Sequence, residues 1–600
     1  MARASTVEPH ALRDHALIAD GERGAVIGPQ GDIAWLCVPR WHDEPVFGAL
    51  IGGAGTYSVT PADPWHSWGG SYRTASLMWQ SRWVTSGGAI ECDEALAFPG
   101  DAHRAVVLRR VRAVAGPADV RVVLQPSAGF SGELVEQFTK REGVWTGQVG
   151  DLRVRWSGAA DARRGRDGSL HLELTVPEGG SHDLVLELAR EELRDEPVLA
   201  EPAWRTTVES WLTEVPELGE HLAGNDVRQS YAVLRGLTAA DGGMVAAATM
   251  SLPERARAGR NYDYRYAWIR DQCYAGLAVA ALGPYPLLTA ALDFVTARVL
   301  ADGAELKPAY RVDGGPVPDE HHVGLPGYPG GGDVAGNWVN GQFQLDTMGE
   351  VLSLVAAAHR HGMVDSRHWK AARIAVDVIA ERWQEPDAGI WEMEDDRWTH
   401  SRLACVAGLR ALAAAAPGSE GGRWTTLADR ILAATSADSL HISGRWQQSP
   451  GQERVDAALL LPPVRGAVAE DDPRTVLTRS AVHDELTTDG YVYRFRHDQL
   501  PLEHTEGAFT LCGLLMALSH AHAGDPVGAM HYFERARGAC ATSGLFTEEF
   551  DVRQRQLRGN FPQAFVHAML IETAVAVQRL LHADRVPHGL PGLSDGTGAH

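Results

Sequence analysis

Between about Ala16 and Leu188 apolar residues recur at every second position. Leu152, Val154 and Trp156 form one such run, Leu170, Leu172 and Leu174 another, and Leu184, Leu186 and Leu188 a third. A period of two sends alternate side chains to opposite faces, so each run predicts a half-buried strand. Turn-forming clusters punctuate them at Gly28-Pro29-Gln30-Gly31, Ser86-Gly87-Gly88, Gly116-Pro117 and Glu178-Gly179-Gly180. Many short strands with such punctuation predict a β-sandwich.

Beyond about Asp226 the period becomes helical. Met348, Val351, Leu352 and Val355 share one face, as do Leu403, Val406, Leu409 and Ala413. Phe565, Ala568, Met569, Glu572, Val575 and Ala576 form a mostly apolar stripe. Roughly eleven or twelve helices are expected between Asp226 and His582. No fixed-period repeat of the solenoid kind is seen, which favours a closed double ring of helices. The expected organisation is a sandwich domain over 1–215, a helical domain over 216–582 and a flexible tail over 583–600 rich in Gly, Pro and His.

The connections between the helices are unequal. Rich loops precede the helices expected near Asp271, over Gln342–His361, at Ser401, at Ala508 and at Pro562. Short turns at Gly283-Pro-Tyr-Pro286, Val364, Ala416-Pro-Gly418 and Gly524-Asp-Pro526 alternate with them. In an antiparallel array this alternation puts every rich loop at one end, which is where function is expected.

Charge narrows the class of partner. The formal net charge of −22 argues against nucleic acid or an anionic membrane surface. The 18 Trp offer flat faces for sugar rings, although most are expected in the core. Six scattered cysteines have neither zinc-pair nor disulfide-scaffold spacing. The first twenty residues carry no apolar core, and no stretch approaches the roughly 20 apolar residues that span a bilayer. A cytoplasmic setting is the expectation.

Aromatics, an Arg-Asp pair and carboxylates on separate loops suit a sugar pocket. Glycoside hydrolysis with inversion needs two carboxyl groups about 6.5–9.5 Å apart, one giving a proton to the leaving oxygen and one taking a proton from water. Carboxylates carried by different loops can meet that separation, but 77 acidic residues make any single one weak testimony.

At these residues the chain resembles glycoside hydrolase family 15, in its bacterial branch of glucoamylase-like proteins and trehalases. The likeness rests on Arg260-Asn-Tyr-Asp-Tyr-Arg265, Trp268-Ile-Arg-Asp271, Gln344-Leu-Asp346 with Gly349-Glu350, Gly389-Ile-Trp-Glu392 with Thr399-His-Ser401, Glu506-Gly-Ala-Phe509 and Gly559-Asn-Phe-Pro-Gln-Ala-Phe565. Leu17-Ile-Ala-Asp-Gly21 and Gly31-Asp-Ile-Ala-Trp-Leu-Cys-Val-Pro-Arg40 resemble the opening strands of that branch's sandwich.

The resemblance implies an N-terminal β-super-sandwich followed by an (α/α)6 barrel. It implies Glu392 as general acid and Glu548 as general base, with the adjacent Glu549 the alternative base. Arg270 and Asp271 would grip sugar hydroxyls, and Trp391, Glu394, Tyr264 and Trp268 would complete the substrate site. Glu392 is expected to be held protonated, by burial against Trp391 or by a second carboxylate, and Glu548 to stay ionised. The family pattern usually carries arginines before its Gly-Asn pair, whereas Gly327 to Asn337 here has none, which is expected to shift substrate preference.

The expected activity is release of glucose, with inversion, from a small α-glucoside. α,α-Trehalose is the first expected substrate, and a glucoamylase-type or isomaltose- or dextran-type α-glucosidase is the alternative. A non-catalytic carbohydrate sensor on the same fold is the reading from another class. No metal motif or cofactor is expected, with an ion held by backbone carbonyls left open. The expected partner is a small sugar, with no nucleic acid or membrane and with homo-oligomer formation left open.

Overall fold

The period change corresponds to a change of architecture in the computed structural model, which describes residues 8–583 except 136, 417, 498 and 499. The tail expected over 583–600 lies outside the described residues apart from the helix-terminal Ala583.

An eight-stranded antiparallel sheet dominates the first part. Its spatial order is Phe138–Arg141, Val144–Val149, Leu152–Ser157, Ser181–Ala189, Arg104–Ala115, Gly88–Leu96, Trp79–Thr85 and His66–Tyr72. A four-stranded sheet, ordered Arg163–Arg164, Leu170–Val176, Ala118–Gln125 and Thr56–Pro61, contributes to the same apolar interior. A further antiparallel set, Ala16–Ala19, Gly24–Ile27, Ile33–Cys37 and Pro45–Phe47, sends Ile18, Ile27 and Leu36 into that interior as well.

The period-two reading has a direct structural counterpart. Leu184, Leu186 and Leu188 face the core between the sheets, while Val185 points the other way, into the cluster that holds Trp204 and Trp211. Those tryptophans belong to helix α1 (Ala200–Glu214), which lies across the outer face of the large sheet. Both faces of the sheet's central strands are therefore buried.

The helical part comprises α2 (Gly224–Leu237), α3 (Ile269–Leu282), α4 (Pro286–Asp302), α5 (Leu345–Arg360), α6 (Ser366–Arg382) and α7 (Thr399–Ala415). It continues with α8 (Glu420–Asp438), the single turn α9 (Leu461–Val464), α10 (Pro473–Leu486), α11 (Thr510–His522), α12 (Pro526–Arg537) and α13 (Ala564–Ala583). Packing contacts run from α3 to α5, from α5 to α7, through the turns at Ala457–Leu460 and α9 to α11, then to α13 and back to α3. Each member of this circuit has a second neighbour: α4 on α3, α6 on α5, α8 on α7, α12 on α11 and α2 on α13, with α10 beside the 457–460 turn.

Sequence and structure differ at α13. This helix has the length and apolarity of a membrane-crossing segment, contrary to the expectation that none exists. It packs against α2, α3, α11 and α12, and Val566, Ala568, Met569, Leu570 and Ile571 are buried. A helix buried and apolar over most of its surface suits a central position between other helices.

Candidate active site

The loops that precede α3, α5, α7, the 457–460 turn, α11 and α13 converge on one cavity of about 670 Å³. Among the described residues, the short turns at the other ends of the helices contribute nothing to its lining, so the alternation of rich and bare connections is a property of the fold. All eight residues picked from the sequence line this cavity: Tyr264, Trp268, Arg270, Asp271, Trp391, Glu392, Glu394 and Glu548. Glu394 lies at its exposed rim.

Glu392 stands just before α7 with a φ of +54°, a conformation that non-glycine residues adopt at a cost of about 1–3 kcal/mol. Its Oε1 accepts from Trp268 Nε1 at 2.6 Å and from Arg270 Nη2 at 3.4 Å. The carboxylate retains one-fifth of its exposure. Trp391, the residue expected to bury it, faces elsewhere. Its indole Nε1 donates to Asp456 Oδ1 at 2.9 Å, and its ring meets Phe509 edge to face. Trp268 is the tryptophan in contact with Glu392.

Glu548 is 3 % exposed, and its Oε1 accepts from the Tyr264 hydroxyl at 2.8 Å. The rings of Tyr264 and Trp268 meet edge to face, 5.5 Å between centroids. Two adjoining rings thus hold the two carboxylates, one each. Gly559, at a φ of +76°, lies against the base of Glu548, where a Cβ would come within 3.0 Å of Oε2.

The neighbouring Glu549 begins the strand Glu549–Asp551 and points away, as alternation along an extended chain demands. Its Oε2 accepts from the Gly507 amide at 2.7 Å, and it takes no part in lining the cavity. Of the two adjacent acids, only Glu548 faces the pocket.

Arg270 also donates through Nη1 to Gln344 Oε1 at 3.0 Å. Asp271 beside it is buried, with Oδ2 free of hydrogen bonds. Burial and the facing Glu392 push the Asp271 carboxyl up to about 7, against the pull of Arg270. A sugar hydroxyl can satisfy such an oxygen.

Sequence reasoning missed the groups behind Glu548. Glu254, Arg260 and Arg494 line the same cavity, and Glu506 lies buried next to them. Arg260 Nε donates to Glu254. Arg494 Nη2 donates to Glu506 and lies 3.6 Å from Glu254 and 3.8 Å from Glu549. Oxygens of Glu254, Glu506 and Glu549 come within 4.8 Å of one another, a spacing that could hold a metal ion, and here the Arg494 guanidinium supplies the counter-charge. These residues come from loops up to some 300 positions apart. Arg260 and Glu506 open two of the motifs that carry the family likeness, but nothing local in the chain announces that they meet Glu254 and Arg494 behind Glu548.

The electrostatics depart from expectation at Glu548. Burial, and then the like charge of Glu254, push its carboxyl up to about 8, while Arg494, Tyr264 and Arg260 pull the other way. Burial would also raise Glu506, but Arg494 and His497 bring it down to about 2. The Gly327–Asn337 loop, which carries no arginine, packs tightly on its neighbour. A Cβ on Gly331 would lie 2.9 Å from the Ser251 carbonyl oxygen, and Gly332 N donates to Asn261 Oδ1 at 3.0 Å. Guanidinium groups still reach the cavity, from Arg260, Arg270, Arg454 and Arg494.

Comparison with known proteins gives the family of the chain. Residues 228–575 match the family model for glycosyl hydrolases family 15, and residues 5–190 match that of the trehalase-like N-terminal domain. The chain belongs to glycosyl hydrolase family 15. It is therefore a glycoside hydrolase by family. Trehalase of Mycobacterium tuberculosis is 30% identical over 95% of this family 15 chain and 90% of its own length. Trehalase 1 of Sulfolobus acidocaldarius is 25% identical over 93% of this chain and 98% of its own. An isomaltose glucohydrolase of Kribbella flavida is 28% identical over 51% of this chain and 77% of its own. In fold the chain resembles a bacterial glucoamylase solved with acarbose, with a TM-score of 0.62 and 14% identity over 98% of this chain and 99% of that one.

Proposed function

We propose that this family 15 chain hydrolyses α,α-trehalose with inversion, using Glu392 as general acid and Glu548 as general base. The observation that carries the reading is the placement of one carboxylate on Trp268 and the other on Tyr264, on adjoining rings of a single cavity. The expected separation for inversion, about 6.5–9.5 Å, leaves room for one water between the base and the anomeric carbon.

Two donors converge on Glu392 Oε1, which directs the acid's proton to Oε2 and toward the glycosidic oxygen. Water activated by Glu548 attacks the anomeric carbon from the opposite face. The glycosidic C–O bond breaks as the new C–O bond forms. Glu392 loses its proton to the departing glucose and Glu548 gains one from water. Arg270 and Asp271 hold hydroxyls of the reacting ring. The proposed helical framework is an (α/α)6 barrel with its pocket at one end, behind a β-super-sandwich, and the proposed domain limits are 1–215 and 216–582.

Full-length similarity to trehalases supports the choice of substrate. The reaction as written uses no cofactor, and its partner is a neutral sugar, which suits a chain of net charge −22. A cytoplasmic setting belongs to the same proposal. Similarity to an isomaltose glucohydrolase favours an isomaltose-type α-glucosidase as the second reading. Glucose release from trehalose, maltose, isomaltose and starch separates them. Trehalose should be the best substrate by at least tenfold in kcat/KM, and preference for isomaltose would replace the first reading by the second. A protein that binds these sugars but turns over none would be a sensor.

A further inference from the structure

We propose that Arg265 is a positioning residue through which the N-terminal sheet domain sets the geometry of both reacting carboxylates. The inference rests on the roles just proposed for Glu392 and Glu548.

Arg265 is 1 % exposed and lies in none of the cavity's walls. Its Nε donates to Asp263 Oδ1 at 2.8 Å and its Nη2 to Asp263 Oδ2 at 2.6 Å, a two-pronged ion pair. The remaining nitrogen leaves the helical part altogether. Nη1 donates to the backbone carbonyl of Asp43 at 2.7 Å and lies 3.3 Å from the Trp41 carbonyl oxygen and from Cys37 Sγ. The guanidinium sits 5.8 Å from the centre of the Trp35 ring. Cys37 ends a strand of the N-terminal sheets, and Trp41 and Asp43 follow it.

Asp263 is the second half of the device. Its Oδ2 also accepts from the Tyr266 hydroxyl at 3.2 Å and from the Gly336 amide at 3.0 Å, and its carbonyl accepts from Asn337 Nδ2 at 3.3 Å. One buried ion pair therefore joins three stretches of chain: the 37–43 connection, the 262–268 segment and the Gly336–Asn337 loop. Satisfying a buried charge this fully fixes its position.

The segment so clamped carries both catalytic supports. Tyr264 lies between Asp263 and Arg265, its neighbours pinned on each side, and its hydroxyl holds Glu548. Trp268 follows four residues after Tyr264 and holds Glu392. The backbone of Tyr264 and Tyr266 is tied in turn to Ala247 and Ala246 by carbonyl–amide bonds of 3.0 and 2.8 Å. A shift of the clamp by a fraction of an ångström moves the donors of both carboxylates at once. Positional errors of about 1 Å in reacting groups cost on the order of a hundredfold in rate.

The test compares Arg265→Lys, Arg265→Met, Tyr264→Phe and Arg40→Ala with wild type in the full chain. Lysine keeps a buried positive charge beside Asp263 but cannot make the fork and reach the 41–43 carbonyls together, so it guards against simple failure to fold. Arg40 lies in the same 37–43 connection, but its side chain pairs across the two parts with Glu22, Asp241 and Asp313 and not with Asp263, so truncating that side chain controls for adhesion between the parts. Arg265→Lys should retain the wild-type far-ultraviolet spectrum, lose kcat by at least tenfold and change KM less than twofold.

The pH dependence supplies a readout that loss of stability does not move. Glu548 is faced by Tyr262, Tyr264, Glu254, Arg260, Arg494 and Glu549, and the Tyr264 hydroxyl pulls its titration down. Loosening that bond should move the ascending limb of kcat/KM to higher pH in Arg265→Lys. Combined with Tyr264→Phe, the same substitution should add no further shift. Arg40→Ala should leave kcat and the limb in place. Wild-type kcat and pH profile in a folded Arg265→Lys, or an additive shift in the double variant, would overturn the inference. Full turnover in Glu392→Gln or Glu548→Gln would instead overturn the roles on which it rests.

Discussion

Glu392 and Glu548 owe their environments to different physics. Glu392 is partly exposed and held by an indole and a guanidinium, whereas Glu548 is sealed in, with one phenol donating and a second carboxylate nearby. Replacing Glu392 by Gln removes the transferable proton but keeps the shape. It should lower kcat by about 10²–10⁴-fold while trehalose binding, followed by calorimetry, persists. Glu254→Gln tests the electrostatic account of the base. As the proposed base, Glu548 acts ionised, so kcat/KM rises with pH through its titration, and burial, with the like charge of Glu254 second, holds that titration above the ordinary carboxylate range. Removing the charge should slide the ascending limb toward lower pH. A limb that stays put or moves upward would contradict the account. At this scale the sequence pointed to Glu392 and Glu548 but not to the titration of Glu548. Burial and Glu254 act on Glu548 through space, and nothing adjacent in the chain reports either.

Among the elements, a strand separates the two candidates for the proposed base. Alternation along Glu549–Asp551 turns adjacent glutamates to opposite sides, so the choice between Glu548 and Glu549 follows from backbone pleating. Helical periodicity placed the rich loops correctly because each inner helix presents a long apolar face and each loop is polar and aromatic. It erred by two or three residues at helix starts: α3 begins at Ile269, α5 at Leu345, α7 at Thr399, α11 at Thr510 and α13 at Ala564. Side-chain caps are missing at α3, α5, α7 and α11, so no cap residue marked those starts. The poorly read stretch after Leu440 has a cause as well, since the inner position there is filled by short turns and not by a long helix. Asp456 caps the first of those turns, accepting from the Ala458 amide at 2.8 Å, and also holds the Trp391 indole. Asp456→Ala should cost about 1 kcal/mol in urea unfolding through the lost cap, and should raise KM more than it lowers kcat. Unchanged KM would show that Trp391 needs no such anchor.

For the molecule as a whole, one apolar cluster runs from the outer face of the large sheet through α1 into the helical part, joining Leu108, Trp204, Trp211, Tyr231 and Leu237. A chain truncated to 216–582 would bare that surface. It should bind hydrophobic dye and show no turnover, whereas a soluble and active fragment would contradict the role given to the sheets. The buried charge cluster behind the pocket sets a second global demand. Arg494→Met leaves Glu254, Glu506 and Glu549 without their shared cation and should destabilise the fold by about 3–5 kcal/mol. Fold class was legible in the sequence because two hydrophobic periods occupy separate halves. This charge cluster was not, because it forms only when loops hundreds of residues apart close on one cavity. The central claim, direct displacement by water between Glu392 and Glu548, is tested most directly by proton NMR of trehalose hydrolysis in its first minutes. One glucose should appear as the β anomer for each α anomer, before mutarotation mixes them. Release of the α anomer alone would contradict inversion and with it the assignment of both carboxylates.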